Sequence, residues 1–154
     1  MAWITPKTNW KAAYDGVGEY IEDFFNIDDY NRIKNNLLYL REKGNELFGL
    51  IPEFPVGEDK HYPIAGSPDF DNDNFFADEI NAIENGLETI DNSINLFNHG
   101  TKQIFYENGK FIDYNELNRI EGAELELYTY IMDSIAGKSK LAIRFGQREN
   151  VIRV

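Results

Sequence analysis

The residues in this sequence that could carry out acid–base or nucleophilic chemistry are two histidines and a few serines. His61 and His99 lie far apart in the sequence, and no serine sits in a Gly-x-Ser-x-Gly elbow. The serines that could act as partners for a histidine are Ser67, Ser93, Ser134 and Ser139. There is no Gly-x-x-x-x-Gly-Lys phosphate loop, and there is no cysteine for thiol chemistry or zinc binding. The sequence therefore predicts a protein that is not an enzyme and that uses no cofactor.

One acidic cluster is similar to a calcium-binding loop. Asp69, Asp71 and Asp73 reproduce the alternating acids that open a twelve-residue EF-hand loop. That loop also needs glycine at its sixth position and glutamate at its twelfth, where this sequence has Asn74 and Ile80. We therefore predict no metal site and a solvated acidic loop, with weak calcium binding by the three aspartates as the alternative.

Composition places the chain among small folded acidic proteins. It has 154 residues, with 15 Lys and Arg against 27 Asp and Glu, and a net charge of −12. A hydrophobic content of 42% is too high for a disordered chain, and the length suits one domain. No apolar run approaches the ~18 residues of a membrane span. The acidic excess also argues against direct binding to nucleic acid, which requires clustered basic side chains.

The most informative feature is a short pattern that occurs three times. Each copy reads Asx, acid, large apolar residue, Asn, any residue, Ile, and the copies start at Asp28, Asp78 and Asn115. We predict that these three residues are helix N-caps and that the Asn three positions later reaches back in a capping box. The alternative is that the repeated asparagines bond to loops of neighbouring helices and fix the packing register. The predicted structural caps are thus Asp28, Asn31, Asp78, Asn81, Asn115 and Asn118.

Apolar residues after each copy recur three and four positions apart, as they do on one face of a helix. The second stripe is unbroken, whereas Glu124 interrupts the third. The pattern predicts a mainly α protein, a three-helix bundle with helices over about 28–48, 78–98 and 115–136.

The segments that join these helices differ in composition. Residues 1–27 are predicted to form an aromatic N-terminal arm, and 28–136 to form the helical domain, with a long irregular loop over 50–77. Residues 102–112 have the pattern of a β-hairpin around a turn at Asn108-Gly109. Residues 137–154 are predicted to be a basic C-terminal β tail, with short strands within 140–154 (at 141–145 and 150–154) on either side of a turn at Gly146.

The charge is distributed unevenly along the chain. Residues 1–136 hold 10 basic and 26 acidic side chains, a balance of −16, whereas residues 137–154 hold five basic and one acidic, a balance of +4. A basic tail on an acidic body is expected to fold back on that body or to dock on an identical neighbour. The predicted assembly contacts are the tryptophans of the arm and the basic residues of the tail: Trp3, Trp10, Lys138, Lys140, Arg144, Arg148 and Arg153.

Three strings carry a family resemblance: Trp3 to Trp10, Phe25 to Asn36, and Tyr114 to Glu121. They resemble small tail- or baseplate-associated structural proteins of phages and prophages of Gram-positive bacteria. The resemblance implies a virion structural protein, made in the cytoplasm of the bacterial host and located in the tail region of the particle. Its implied partners are other phage structural proteins and copies of itself. It implies no catalytic residues.

Two other functions are consistent with the sequence. Exposed aromatic side chains of the arm and loop would suit a binding module for host glycans. The acidic composition would suit a decoy that presents carboxylates in place of DNA phosphates, although the acids are scattered along helices rather than arrayed in one run.

Overall fold

The structure is a computed structural model that describes residues 2–12, 24–62, 76–96 and 99–151, with side chains described as far as Lys138. It contains three helices, α1 (Ile27–Phe48), α2 (Ala77–Ile94) and α3 (Tyr114–Val151), each packed against the other two. Within the described ranges no residue belongs to a β-strand. The prediction of a mainly α protein built on three packed helices is confirmed.

Each helix begins four residues before the Asn of its repeat, so the predicted caps are wrong by two positions. Asn26 caps α1, because its Oδ1 accepts from Asp29 N–H at 3.1 Å and Asp29 returns a bond to Asn26 N–H at 3.2 Å. At α2 the cap residue is Phe76, whose N–H donates to Glu79 at 3.0 Å. The Oδ1 of Asp113 accepts from the N–H groups of the first turn of α3.

The six residues predicted as caps lie inside the helices. Asp28, Asp78 and Asn115 occupy the first turn, where the helix dipole favours the two acids. Asn31, Asn81 and Asn118 lie one turn into the helices, past the N–H groups that need capping.

The three helices run parallel, with their N-terminal ends at the same end of the bundle. Arg32 near the start of α1 bonds Glu121 near the start of α3, and Gly44 near the end of α1 lies against Ile131. Glu84 of α2 likewise contacts Arg119, and Leu96, just past the end of α2, shares a groove with Tyr130. Residues with the same offset from the repeat Asn therefore lie at about the same level in all three helices.

The apolar stripes meet along the bundle axis. Leu37, Leu40, Leu87, Ile120 and Ile131 are each completely buried. Burial of one such side chain contributes about 1.5–3 kcal/mol relative to leaving it exposed, so these stripes are the main source of stability.

Because the helices are parallel, the chain must run back along the bundle before each new helix. Two described segments do this: the first return segment (residues 50–62) and the second return segment (residues 99–113). The described part of the arm that lies before α1 (residues 2–12) also runs toward the end of the bundle where the helices begin. Ile4 lies beside Asn36 of α1, and Trp10 lies beside Asn118 of α3.

The β-hairpin predicted over 102–112 is not formed. Its turn exists, with Asn108 in the left-handed region at φ 59° and Gly109 N–H bonded to the Tyr106 carbonyl at 2.9 Å. The flanking residues do not pair as strands, because both backbone groups of Phe105 bond to the side chain of Asn81. The pattern predicts that these backbone groups pair with a second strand, whereas in the structure a helix side chain takes the place of that strand.

The β tail predicted over 137–154 is also wrong as far as it is described, since α3 continues as one helix to Val151. With 38 residues against 22, α3 is 16 residues longer than α1, and both start at the same level. Residues 136–151 therefore form a helical extension of ~24 Å beyond the level at which α1 ends. Alanine, lysine, leucine and arginine in this stretch favour helix, and an isolated two-stranded hairpin would have little independent stability. Residues 152–154 of the predicted second strand lie outside the described residues.

Candidate functional site

The repeated asparagines clamp the backbone of the extended segments. Each side-chain amide donates to one carbonyl and accepts from the N–H of the same residue, so a single Asn satisfies both backbone groups. The asparagines therefore bond to segments outside the helices, as the alternative interpretation of the repeat predicted, although the segments held by Asn31 and Asn81 are those that follow their own helices. The pairs are Asn31 with Lys60 (2.7 and 2.8 Å), Asn81 with Phe105 (2.8 and 2.8 Å) and Asn118 with Trp10 (3.0 and 2.8 Å).

These clamps give the bundle a cyclic order. The first return segment is held by α1 and its Phe54 packs on Gly86 of α2; the second is held by α2, and the carbonyl of His99 accepts from Arg119 of α3 at 2.8 Å. The arm is held by α3 at Trp10 and by α1 at Ile4, where Asn36 makes a further two-bond clamp of 2.8 and 3.1 Å. Each extended segment thus lies between two successive helices, in the order α1–α2, α2–α3 and α3–α1.

A second shared position lies three residues after each repeat Asn and is charged and buried in all three helices. These residues are Lys34, Glu84 and Glu121, with 2%, 0% and 0% of their surface exposed. Buried charges need partners because loss of hydration is costly. Arg32 of α1 pairs with Glu121 of α3, and Arg119 of α3 pairs with Glu84 of α2.

The third pair of this cycle is missing, because α2 has Ala82 where the other helices have arginine. Lys34 instead bonds Asp59 and, at 3.1 Å, the Gly57 carbonyl of the first return segment. Glu79, which has no arginine on its own helix, pairs with Lys60 at 2.9 Å. Asp59 and Lys60 of the first return segment therefore take the place of the arginine that α2 lacks.

Glu121 is the most connected of these groups. It accepts from Arg32 at 2.7 and 3.1 Å, from the indole Nε1 of Trp10 at 2.8 Å and from the N–H of Lys7 at 2.7 Å. One carboxylate therefore ties the arm to two helices. Trp10 is 3% exposed, which makes it an anchor within its own fold rather than the assembly contact that was predicted.

Trp3 also packs on its own body. Its ring stacks on Tyr128 with centroids 4.2 Å apart and lies 5.9 Å from Tyr39, and the side chain is half-buried. Both tryptophans of the predicted assembly set thus hold the arm in place.

Glu124 occupies a position where α1 and α2 have Leu37 and Leu87. It is completely buried, its Oε2 accepts from Asn36 at 3.4 Å, and its Oε1 has no hydrogen-bond partner. Burial, together with the nearby carboxylate of Glu121, raises the pKa of Glu124 well above its usual value. Burial likewise raises the pKa of Glu84, although Arg119 acts in the opposite direction. Both environments favour the neutral acid more than water does.

The histidines and serines are used locally. His99 is paired with the buried carboxylate of Asp91 through both its ring Nδ1 and its backbone N–H, the latter at 3.2 Å. Ser93 donates to the Thr89 carbonyl at 2.7 Å, and His61 is exposed. In the described part of the chain these hydrogen bonds do not join a serine to a histidine. Ser67 lies outside the described residues, as does the side chain of Ser139.

The remaining predicted sites are only partly described. Asp69, Asp71 and Asp73, the calcium candidates, lie outside the described residues, and no group of three or more metal-ligating side chains occurs within them. Lys138 is exposed on the helical extension. The side chains of Lys140, Arg144 and Arg148 are outside the described set, and so is the whole of Arg153.

The buried charged positions were not predicted from the sequence. The signal was present, because Ile33, Ile83 and Ile120 of the repeat are each followed directly by a charged residue. A charge beside the apolar stripe at the same place in three copies indicates a shared internal role rather than a solvated face.

Comparisons with protein-family models, with curated proteins and with solved structures found no match. No helix in the described ranges is long and apolar enough to cross a membrane.

Proposed function

We propose that this protein is a non-catalytic structural subunit of a phage tail or baseplate, which acts by assembling with copies of itself and with other virion proteins. The observation that carries the proposal is the helical extension of α3. It continues 16 residues past the level at which α1 ends, and the segment 137–154 has a charge balance of +4 against −16 for the rest. A projecting basic helix on an acidic body is suited to connecting subunits.

The use of polar groups inside the bundle supports the same proposal. The buried cation is Lys34, and the buried carboxylates are Glu84 and Glu121. Each is paired with a group of another element, and these pairs fix the register of helices and return segments. Groups committed to internal pairs specify a rigid body. A rigid body with a projecting connector fits a construction unit of a larger particle.

Mass spectrometry of particles purified after prophage induction tests the proposal. We expect the protein in the particles at a fixed ratio to tail proteins, whereas its presence only in the soluble lysate would exclude a virion role.

Removal of residues 138–154 provides a second test. Since the last core residues of α3 lie near Ile131 and Ile135, the truncated chain should keep the helical circular dichroism of the bundle and lose self-association. A matched full-length variant with Lys138, Lys140, Arg144, Arg148 and Arg153 all changed to Gln keeps the length of the extension and removes its charge. If the truncated chain is unfolded, the extension belongs to the core and the proposed connecting role is wrong.

A further inference from the structure

Exposed apolar side chains are concentrated at the end of the bundle where the helices begin. Twelve large apolar side chains are exposed in the described residues, and seven of them flank the helix starts. Five of the seven surround the starts of α2 and α3 and define what we call the aromatic end: Phe76, Ile104, Tyr106, Phe111 and Tyr114. Apolar patches of this kind on a soluble protein mark interaction sites.

The aromatic end contains a cavity of about 420 Å³, within the range of binding clefts. Phe76, the cap residue of α2, and Ile80 form one wall, and the turn from Phe105 to Ile112 forms the other. This second wall is fixed, because Asn81 holds Phe105 and Ile112 is 7% exposed. The site is therefore a preformed apolar cleft with exposed aromatic rings at its edge.

Exposed carboxylates lie at the same end of the bundle as this cleft, and one of them, Glu107, lines it. Asp28 and Asp78 are exposed at this end because the parallel helices bring their acidic first turns together, and Glu107 is exposed on the turn of the second return segment. Lys110 also lines the cleft and pairs with Asp113, and Lys60 pairs with Glu79, so the acids still outnumber the cations at this end. An occupant of the cleft should therefore combine apolar side chains with positive charge.

The helical extension of α3 has that composition. Its sequence places Leu141 and Phe145 four positions apart, the spacing of neighbours on a helix surface, among the basic residues Lys138, Arg144 and Arg148. The extension leaves the opposite end of the bundle, about 33 Å from the aromatic end as judged by the 22 residues of α1. As one continuous helix directed away from the body, it does not reach the aromatic end of its own chain.

We infer that the aromatic end of one copy is the docking site for the helical extension of a second copy. This inference rests on the proposed function and specifies the contact through which copies assemble. The two surfaces lie at opposite ends of the molecule, so the contact is head-to-tail and generates either a closed ring or a filament.

Sedimentation velocity on full-length variants tests the contact. Tyr106→Ser at the aromatic end should weaken self-association by about tenfold, because truncation of a central aromatic contact commonly costs at least this much. Leu50→Ser is the matched control, since Leu50 is 89% exposed at the other end of the bundle and Tyr106 is 71% exposed. It should leave the association constant within about twofold. Raising the salt from about 0.15 M to about 0.5 M should also weaken the wild-type contact.

Photo-crosslinking identifies the occupant directly. A photoreactive residue at position 106 of one full-length copy, mixed with an isotopically heavy second copy, should label heavy peptides from 138–154.

Two results would overturn the docking site and leave the assembly function standing. The first is labelling of another region. The second is that Tyr106→Ser associates like wild type while the 138–154 truncation dissociates. Wild-type protein that stays monomeric and is absent from particles overturns both proposals. If the wild-type protein does not self-associate but binds a glycan array, and Tyr106→Ser abolishes this binding, the cleft is assigned to a sugar and the docking inference is overturned.

Discussion

The indole Nε1 of Trp10 donates a hydrogen bond to Oε1 of Glu121 at 2.8 Å, across 111 positions of the sequence. The bond joins the arm to α3 at the level where Arg32 of α1 reaches the same carboxylate. The arm is therefore held by a polar contact inside the core as well as by its apolar surface.

Trp10→Phe should lower the free energy of unfolding by about 1–3 kcal/mol, because it keeps an aromatic ring and removes a hydrogen bond to a buried charge. Urea unfolding followed by far-ultraviolet circular dichroism measures the change. Trp3→Phe is the control, since a phenyl ring can still stack on Tyr128, and it should cost less. Equal losses for the two variants would show that the bond to Glu121 does not stabilise the fold.

Glu124→Leu should stabilise the protein, and the gain should increase with pH. The folded-state pKa of Glu124 is raised, so the unfolded chain releases this proton at a lower pH than the folded protein does. The contribution of Glu124 to stability is thus fully present below about the ordinary value of 4.5 and is lost as the pH rises through the raised folded-state pKa. Leucine, found at the equivalent positions of α1 and α2, has no proton to lose.

The measurement is urea unfolding of wild type, Glu124→Leu and Glu124→Gln at about pH 4 and about pH 8. The advantage of Glu124→Leu over wild type should be larger at the higher pH, in line with the gain of about 1–4 kcal/mol seen when buried ionic groups are replaced by apolar ones. Glu124→Gln separates loss of the charge from the change of shape. An advantage of Glu124→Leu that does not vary with pH would contradict the buried-acid assignment.

Local pattern predicted the helices because the apolar period and the repeat are local properties. It failed at 102–112, where Phe105 pairs with a side chain from Asn81 instead of a strand, and at 141–145, where the chain continues the helix of Ile131. Both errors come from the same cause: alternating apolar residues predict strands, whereas the partner that satisfies the backbone is set by tertiary structure.

The polar core was only partly predictable for a related reason. The repeat showed that Asn31, Asn81 and Asn118 are equivalent, and bonding to loops was one of its two interpretations. The sequence contains no distance information that would select Trp10 as the partner of Asn118, 108 positions away. The parallel direction of the helices sets this partner, because it places the start of α3 at the same end of the bundle as the start of α1, to which the arm leads.

Replacement of the clamp asparagines should destabilise the protein in all three helices. Asn31→Ala, Asn81→Ala and Asn118→Ala each remove two hydrogen bonds to one residue of an extended segment, so each should cost about 1–3 kcal/mol. Thermal and urea unfolding measure the loss. Asn92→Ala on the exposed face of α2 is the control and should stay within about 0.5 kcal/mol of wild type. If one clamp variant behaves like this control, water replaces that clamp without cost.

Gly86→Ala should destabilise the protein even though alanine is the better helix former. A Cβ at Gly86 would lie 2.8 Å from Cε2 of Phe54, which the first return segment packs against α2. The displacement of this buried ring should cost about 1–3 kcal/mol, more than the roughly 1 kcal/mol that helix propensity gains.

Gly122→Ala on α3 is the matched control, because its Cβ meets nothing within 4 Å, and it should stabilise by about 0.5–1 kcal/mol. Unfolding curves of both variants decide the matter, and a second change of Phe54→Leu should recover part of the loss in Gly86→Ala. Stabilisation by both alanines would mean that Phe54 moves aside freely and that the contact between the first return segment and α2 does not fix their separation.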